Sequence, residues 1–500
     1  MKTMLKSAML ATGLFVASVG ALIAQDAPAV PDFAAPAADP APAAQSTELA
    51  ANPDQSQPAE TKLLPDLADT VWDRDFRILG CSATNHHSWT SFELYAEDVN
   101  GEPMNDSVYS RNDAVKEKYG ISVVQTLVDD TSKSIPTEYA SGEDNYDLIF
   151  AYIRDIGGLA QKGYFLDLYS LDNADLAKPW WNKAVNDDVS VKGHLFFGAS
   201  DFSLRDKNRV QLMVMNDPLL SELKLDPVPG LVRGNEWDAQ KMKEYVTAAS
   251  RDLNGDGVHT KEDQYGLVMH SYDAYAALCF GFGIRLIDKD ENGCLAVVDE
   301  NERAINAIDA VLDICRTETY MTPEKYDKNW DLPYDTFCDG RALFKITILH
   351  SLGDFNSDCD FNFTVCPLPK LYADQEKFYT IPDKIAMLFA VPVTEKDPAF
   401  AGFALEAFSY ASTDTTLVTF TEILSKTKNI RNADSVEMIN VVLDGVVYDN
   451  SIFYSSDIKL YGILNNTIPS ADRNTFSTSM RTLKKSAKEV LDSINNAFAD

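Results

Sequence analysis

"YDLIFAYIRDIGGLAQKGYFLDL", Tyr146–Leu168, decides the fold class. Its first part is apolar at consecutive positions, Leu148 to Tyr152, so no face of it is left for water. A strand apolar on both faces is buried on both, as in sheets that carry helices above and below. The second part, from Gly157, reads as a helix. The same alternation precedes it. "FRILGCS" (Phe76–Ser82) is a short apolar strand, and "SRNDAVKEKYG" is a helix with Ser110 as N-cap and Gly120 just past its end. The β-branched "ISVVQTLV" (Ile121–Val128) is the next strand. Strands alternating with helices predict an α/β protein with mostly parallel sheets. Ligands of such sheets lie beyond the carboxyl ends of the strands, which singles out the loops after Cys81, Phe150 and Met269.

A second alternating block begins at "VQLMVMNDPLL" (Val210–Leu220). It holds the amphipathic helix in "EWDAQKMKEYVTAASRDL" and the strands "QYGLVMH", "RALFKITIL" and "FNFTVCPLP". "KIAMLFAVPVT" then leads into a helix that Asp397 caps, with Pro398 in its first turn. Residues 476–499 read as a surface helix. With 500 residues and 45% hydrophobic content the chain exceeds one compact core, and two lobes are expected. A formal charge of −32 excludes nucleic acid and anionic membrane as partners.

The N-terminus reads as an export signal over residues 1–24: Lys2 and Lys6, then the uncharged run Ala8–Ala24 ending in small residues. Cleavage after Ala24 is expected, with retention as an anchor the alternative. Residues 25–65, rich in Ala and Pro, bury too little apolar surface to fold and read as a tether. Six of seven cysteines fall between 279 and 366, which allows one or two disulfides, and none has metal-ligand spacing.

"RDLNGDGVHTKEDQYG" (Arg251–Gly266) matches a calcium loop. Asp252, Asn254 and Asp256 stand at positions 1, 3 and 5, Gly257 at 6, the Val258 carbonyl at 7 and Asp263 at 12. The other reading is an Asn-Gly-Asp-Gly turn that needs no ion. A single loop followed by a strand is not a sensor, which pairs two such loops. Structural Ca2+ is therefore the expected cofactor.

Taken in order, "YDLIFAYIRDIGGLAQKGYFLDL", "PWWNKAV", "VQLMVMNDPLL", "DLNGDG…DQYGLV", "FCDGRALF" and "KIAMLFAVPVT…DPAFAGFALEAFSYAS" resemble the family 1 solute-binding proteins of ABC importers, among them maltodextrin- and alginate-oligosaccharide-binding proteins. The resemblance covers most of residues 76–413. It implies a two-lobed periplasmic-binding-protein-like clamp of type II. Lobe one would hold 70–210 and 386–435, and lobe two 211–385 and 436–500. The chain would cross between them near "QLMVMN" and "KIAMLF". The implied function is capture of a solute, a saccharide by the family's habit, by a monomer that delivers it to permease subunits outside the cytoplasm. Gln25 stands where a lipoprotein's acylated Cys would be, against lipid anchoring.

The resemblance places Tyr152, Arg154 and Asp155 of "AYIRD" on sugar hydroxyls, although acid and Arg stand in reverse order to the family's. Aromatic rings pack against pyranose C–H faces. Trp89 and His86 in the loop after Cys81, Tyr272 and His270 after Met269, and Trp330 are the further candidates. Trp180 and Trp181 read as interlobe packing and Trp237 as core. A secreted glycan hydrolase, needing only two carboxyls, and a glycan-binding surface protein without transport are the alternatives. None of the nucleophile, zinc, P-loop or dinucleotide motifs occurs, so no catalytic residue is assigned.

Overall fold

The structure is a computed structural model that describes residues 67–82, 93–299, 301–316, 318–326, 328–426, 433–470 and 473–499. Its strands are, in chain order, β1 (Arg74–Cys81), β2 (Ile121–Val128), β3 (Leu148–Tyr152), β4 (Gln211–Asn216), β5 (Tyr265–Met269), β6 (Ile287–Lys289), β7 (Leu295–Val297), β8 (Tyr320–Met321), β9 (Ala342–Ile348), β10 (Phe363–Cys366) and β11 (Met387–Ala390). The first sheet has the order β11-β3-β1-β2, with β1 parallel to both β2 and β3 and β11 antiparallel to β3. All five residues of β3 are buried, as its apolar run requires.

The second sheet, β10-β4-β9-β5-β8, is mixed rather than mostly parallel. β5 runs parallel to β8 and β9, whereas β4 is antiparallel to both β9 and β10. The cause lies in how the chain arrives. After the helices and loops that follow β3, it enters the second sheet at Gln211, opposite Ile348 at the end of β9, so β4 runs against its neighbour. β6 and β7 form a separate hairpin.

The passage between the sheets is hydrogen-bonded. Gln211 N donates to Ile381 O (3.0 Å) and Asp383 N to Arg209 O (2.8 Å), joining the outgoing and returning segments. A third segment lies alongside: Thr380 N donates to Gly445 O (3.0 Å) and Val447 N to Thr380 O (2.9 Å). The C-terminal elements then divide. Helix Ala433–Asp444 packs on β10, helices Asn450–Phe453 and Ser455–Ile458 pack on helix Ile153–Gln161, and Tyr461–Ser470 packs on Ser271–Gly281.

Local signals explain most element ends. Asp397 accepts from Phe400 N and Pro398 opens helix Pro398–Thr413, as read from the sequence. Gly120 ends helix Pro103–Tyr119 at φ 69°, where a side chain would be strained. That helix begins two turns before Ser110. Glu102 caps it through Met104 N and Asn105 N, and Ser110 Oγ instead donates to Asp106 O. Gly266 lets helix Ala239–Ala249 approach β5, since a Cβ there would stand 2.1 Å from Val246 O. The expected C-terminal helix spans Arg473–Ala497 and buries Phe476, Met480, Leu491 and Ile494.

Trp237 is core, 1% exposed, with its indole N–H on Pro367 O. Trp180 and Trp181 both donate to one buried carboxylate, Glu406 (3.0 and 2.8 Å), and so pack with the helix that follows β11. All seven cysteines are free thiols, so the disulfides that their clustering allows are not formed. No helix among the described residues is long and apolar enough to cross a membrane.

Candidate solute-binding site

A cavity of about 660 Å³ opens where the two sheets face each other. The chain order of its walls follows from the fold. Arg154 stands in the first turn after β3, His270 and Asp273 follow β5, and Lys345 to Ile348 close β9. Arg209, Gln211, Asp383 and Lys384 come from the crossing segments, and Trp330 and Tyr334 form an aromatic side. This is the position beyond the strand ends that the loops after Phe150 and Met269 predict.

The polar groups are mostly held in pairs. Arg154 Nε donates to Asp155 Oδ2 at 3.1 Å, and its guanidinium lies over the Tyr152 ring, 4.8 Å from the centroid. Arg209 is salt-bridged to Asp383 across the crossing. Asp273 accepts from Tyr461 Oη (2.7 Å), with Lys384 Nζ at 3.9 Å. Burial, with the Asp383 carboxyl beside it, pushes Asp273 up to about 7. His270 is pushed down to about 4 by burial and the nearby Lys345 charge, so it is neutral near pH 7 and donates from Nε2 to Trp330 O (2.7 Å). His350 is likewise lowered to about 4, by burial and then by Arg209 and Arg205.

Of the residues expected at the site, Arg154, His270 and Trp330 share this cavity. Trp330 is 39% exposed. Tyr152 is buried, its Oη 2.7 Å from Cys81 Sγ, and supports Arg154 from beneath. Asp155 holds the same Arg and does not line the cavity. Tyr272 sits in the first turn of helix Ser271–Gly281. His86 and Trp89 lie outside the described residues.

Sequence reading missed Arg209, Asp273, Lys345, Asp383 and Lys384. One signal existed: a Lys inside the apolar "ALFKITI". An ionic residue in a buried strand is rare enough to mark a site.

At the calcium-like loop, Gly255 N and Gly257 N each donate to Asp252 (2.7 Å), and Val258 N donates to Asp256 (2.8 Å). Asp263, 1% exposed, accepts from Leu253 N and Thr260 N. Asp252 lies near enough to feel the Asp263 charge. Among the described residues the acidic group with ligand oxygens drawn within 4.8 Å is elsewhere, at Asp144, Asp147 and Glu395, where Arg74 and Arg77 pair with it.

Two α/β sheets joined by several bonded crossings, with a polar and aromatic cavity between their strand ends, define a two-lobed clamp of the periplasmic-binding-protein type. Solved structures with this fold include an ABC substrate-binding protein from Listeria monocytogenes in complex with cycloalternan (14% identity, TM-score 0.51, covering 85% of this chain and 99% of that one). RafE from Streptococcus pneumoniae in apo form (13%, 0.53, 87% and 99%) and a cyclo/maltodextrin-binding protein complexed with maltotetraose (13%, 0.53, 85% and 97%) are similar to the same extent. The similarity spans nearly the whole of those chains. No protein-family model and no curated protein matches the sequence.

Proposed function

We propose that the chain is an extracytoplasmic solute-binding protein that captures a saccharide between its two lobes and delivers it to the permease of an ABC importer. The observation that carries this reading is the cavity itself. It combines the exposed Trp330 ring and the half-buried Tyr334 ring with paired charges from both sheets and from the crossings. Rings take the C–H faces of a sugar, and charged groups take its hydroxyls through strong hydrogen bonds. The neighbours in fold are binding proteins, three of them described with sugars: cycloalternan, maltotetraose and α-D-tagatose.

Of the cavity's carboxyls, Asp273 and Asp383 are in hydrogen-bond contact, closer than the pair of carboxyls about 5–9.5 Å apart that glycoside hydrolysis uses. The test is a panel of mono- and oligosaccharides read by thermal shift, since a ligand of the native state raises the midpoint by mass action. Silence to every sugar, with a response to peptides or amino acids, overturns the saccharide reading. Products in the same mixtures would identify a hydrolase.

A structural Ca2+ held by Asp252, Asn254, Asp256, Val258 and Asp263 belongs to the same proposal. The donors are all oxygen, as a hard cation requires, and Gly255 and Gly257 at φ 74° and 82° already wind the loop. The ion would tie the end of helix Ala239–Ala249 to the start of β5, away from the cavity. An export signal over residues 1–24 and a monomeric state complete the reading.

A further inference from the structure

Most charges around the cavity have an opposite charge beside them: Arg154 has Asp155, Arg209 has Asp383, and Lys384 has Asp273. Lys345 has none. It stands in the middle of β9, is 1% exposed, and lines the cavity from the second sheet. Its Nζ has no hydrogen-bond partner among the described residues. The ring of Phe355 lies 5.8 Å from it on one side, and neutral His270 and the Cys338 thiol are its other near neighbours. Burial pulls Lys345 down to about 8, opposed only by Cys338, and neither Asp273 nor Asp354, which share the cavity, contributes.

An uncompensated ammonium in a buried strand is costly to the folded state, and such groups are normally paired. A methionine or leucine would fill the same space without that cost. The structure therefore keeps a positive charge at the wall of the solute cavity with its counter-charge missing. We infer that the counter-charge arrives with the solute: the cavity takes an acidic saccharide, whose oxyanion, a carboxylate or sulfate, docks on Lys345 while its rings lie toward Trp330 and Tyr334. The inference rests on the saccharide-binding reading and narrows it to a class. It also explains how a strongly acidic protein accepts an anionic ligand, because the charge that matters is the local one inside a low-dielectric cavity.

The test uses matched oligosaccharides that differ only in charge: trigalacturonate beside galactotriose, a glucuronate-bearing trimer beside its glucose counterpart, and a sulfated member of each pair. Thermal shift and calorimetry on the full chain should find a carboxylated or sulfated member binding at least tenfold tighter than its neutral partner. Which anion responds distinguishes the two sources of the oxyanion. Binding confined to neutral members overturns this inference and leaves the saccharide reading standing. Silence across all of them overturns both. Lys345→Met is the second arm, and it carries two opposite signs. Without ligand the variant should melt higher than the parent, because a buried unpaired charge is gone. It should bind the acidic sugar at least tenfold more weakly, and the affinity should lose part of its salt dependence. A lower melting point with unchanged acidic-sugar affinity would make Lys345 a structural residue and overturn the inference.

Discussion

Replacing Asp273 by Asn should stabilise the protein at alkaline pH and have progressively less effect as the pH falls. The carboxyl is buried beside Asp383, and both burial and the like charge favour its protonated form, raising it from 3.8 to about 7. A raised carboxyl pKa means the folded state binds the proton more tightly than the unfolded state. Stability is therefore full below about pH 4 and is lost as the pH climbs toward 7. At 1.36 kcal/mol for each tenfold change in proton affinity, the loss between pH 5 and pH 8 is at most about 3 kcal/mol. That value already includes the opposing pull of Lys384 at 3.9 Å and of the Tyr461 hydroxyl, both of which favour the ionised form. Asn keeps the shape and an acceptor for Tyr461 but cannot ionise. Urea unfolding of parent and Asp273→Asn at pH 5 and pH 8 measures the difference directly. The variant's advantage should grow by about 1–3 kcal/mol between the two. An advantage independent of pH would refute the reasoning, since its source is the ionisation of a buried carboxyl beside Asp383.

Glu406→Gln turns an amide N–H₂ toward one of two indole donors, and it should lower unfolding stability by about 1–3 kcal/mol in denaturant titration, with quenching or shift of tryptophan emission. Trp330→Ala should weaken saccharide binding by about 1 kcal/mol or more in calorimetry while leaving the melting point within a degree or two, because the ring is exposed. Closure on a bound solute should reduce the radius of gyration in small-angle scattering, and an identical profile at saturation would argue against the clamp. Chelating calcium should lower the melting temperature without abolishing solute binding, and Asp252→Ala should do the same without rescue by added calcium. An unmoved melting temperature would leave the loop an ordinary turn.

The elements legible in the sequence were those whose cause is local. β3 declares itself by five apolar residues in a row, and helix Pro398–Thr413 by Asp397 and Pro398. What escaped depends on partners far along the chain. Helix Pro103–Tyr119 starts early because Glu102 caps it, and Glu is not among the usual capping residues. β4 runs antiparallel to β9 because it enters from the other sheet, and strand–helix alternation carries no record of that. At the site, Arg154 and His270 were readable because each immediately follows a recognisable strand. Asp383, Lys384 and Arg209 were not, because they meet the cavity only once the crossings lie side by side. Lys345 was visible as a charge in an apolar run, but its lack of a partner is a fact of three dimensions.

The adjacent crossings at residues 209–211, 380–383 and 445–447 have a consequence beyond joining the sheets. One flexible linker would let the halves slide, twist and separate. Adjacent segments bonded edge to edge would act as the pin of a door, leaving swinging about one axis cheap and other relative motions dear. The occupied state is then expressed as a single angle, readable anywhere along both rims. Under the proposed function, a permease resting on those rims would need no contact with the solute to register that one is present. It would also treat alike any two solutes that bring the rims to the same angle. Chemical discrimination must be completed inside the cavity before the swing, since the angle carries no further detail.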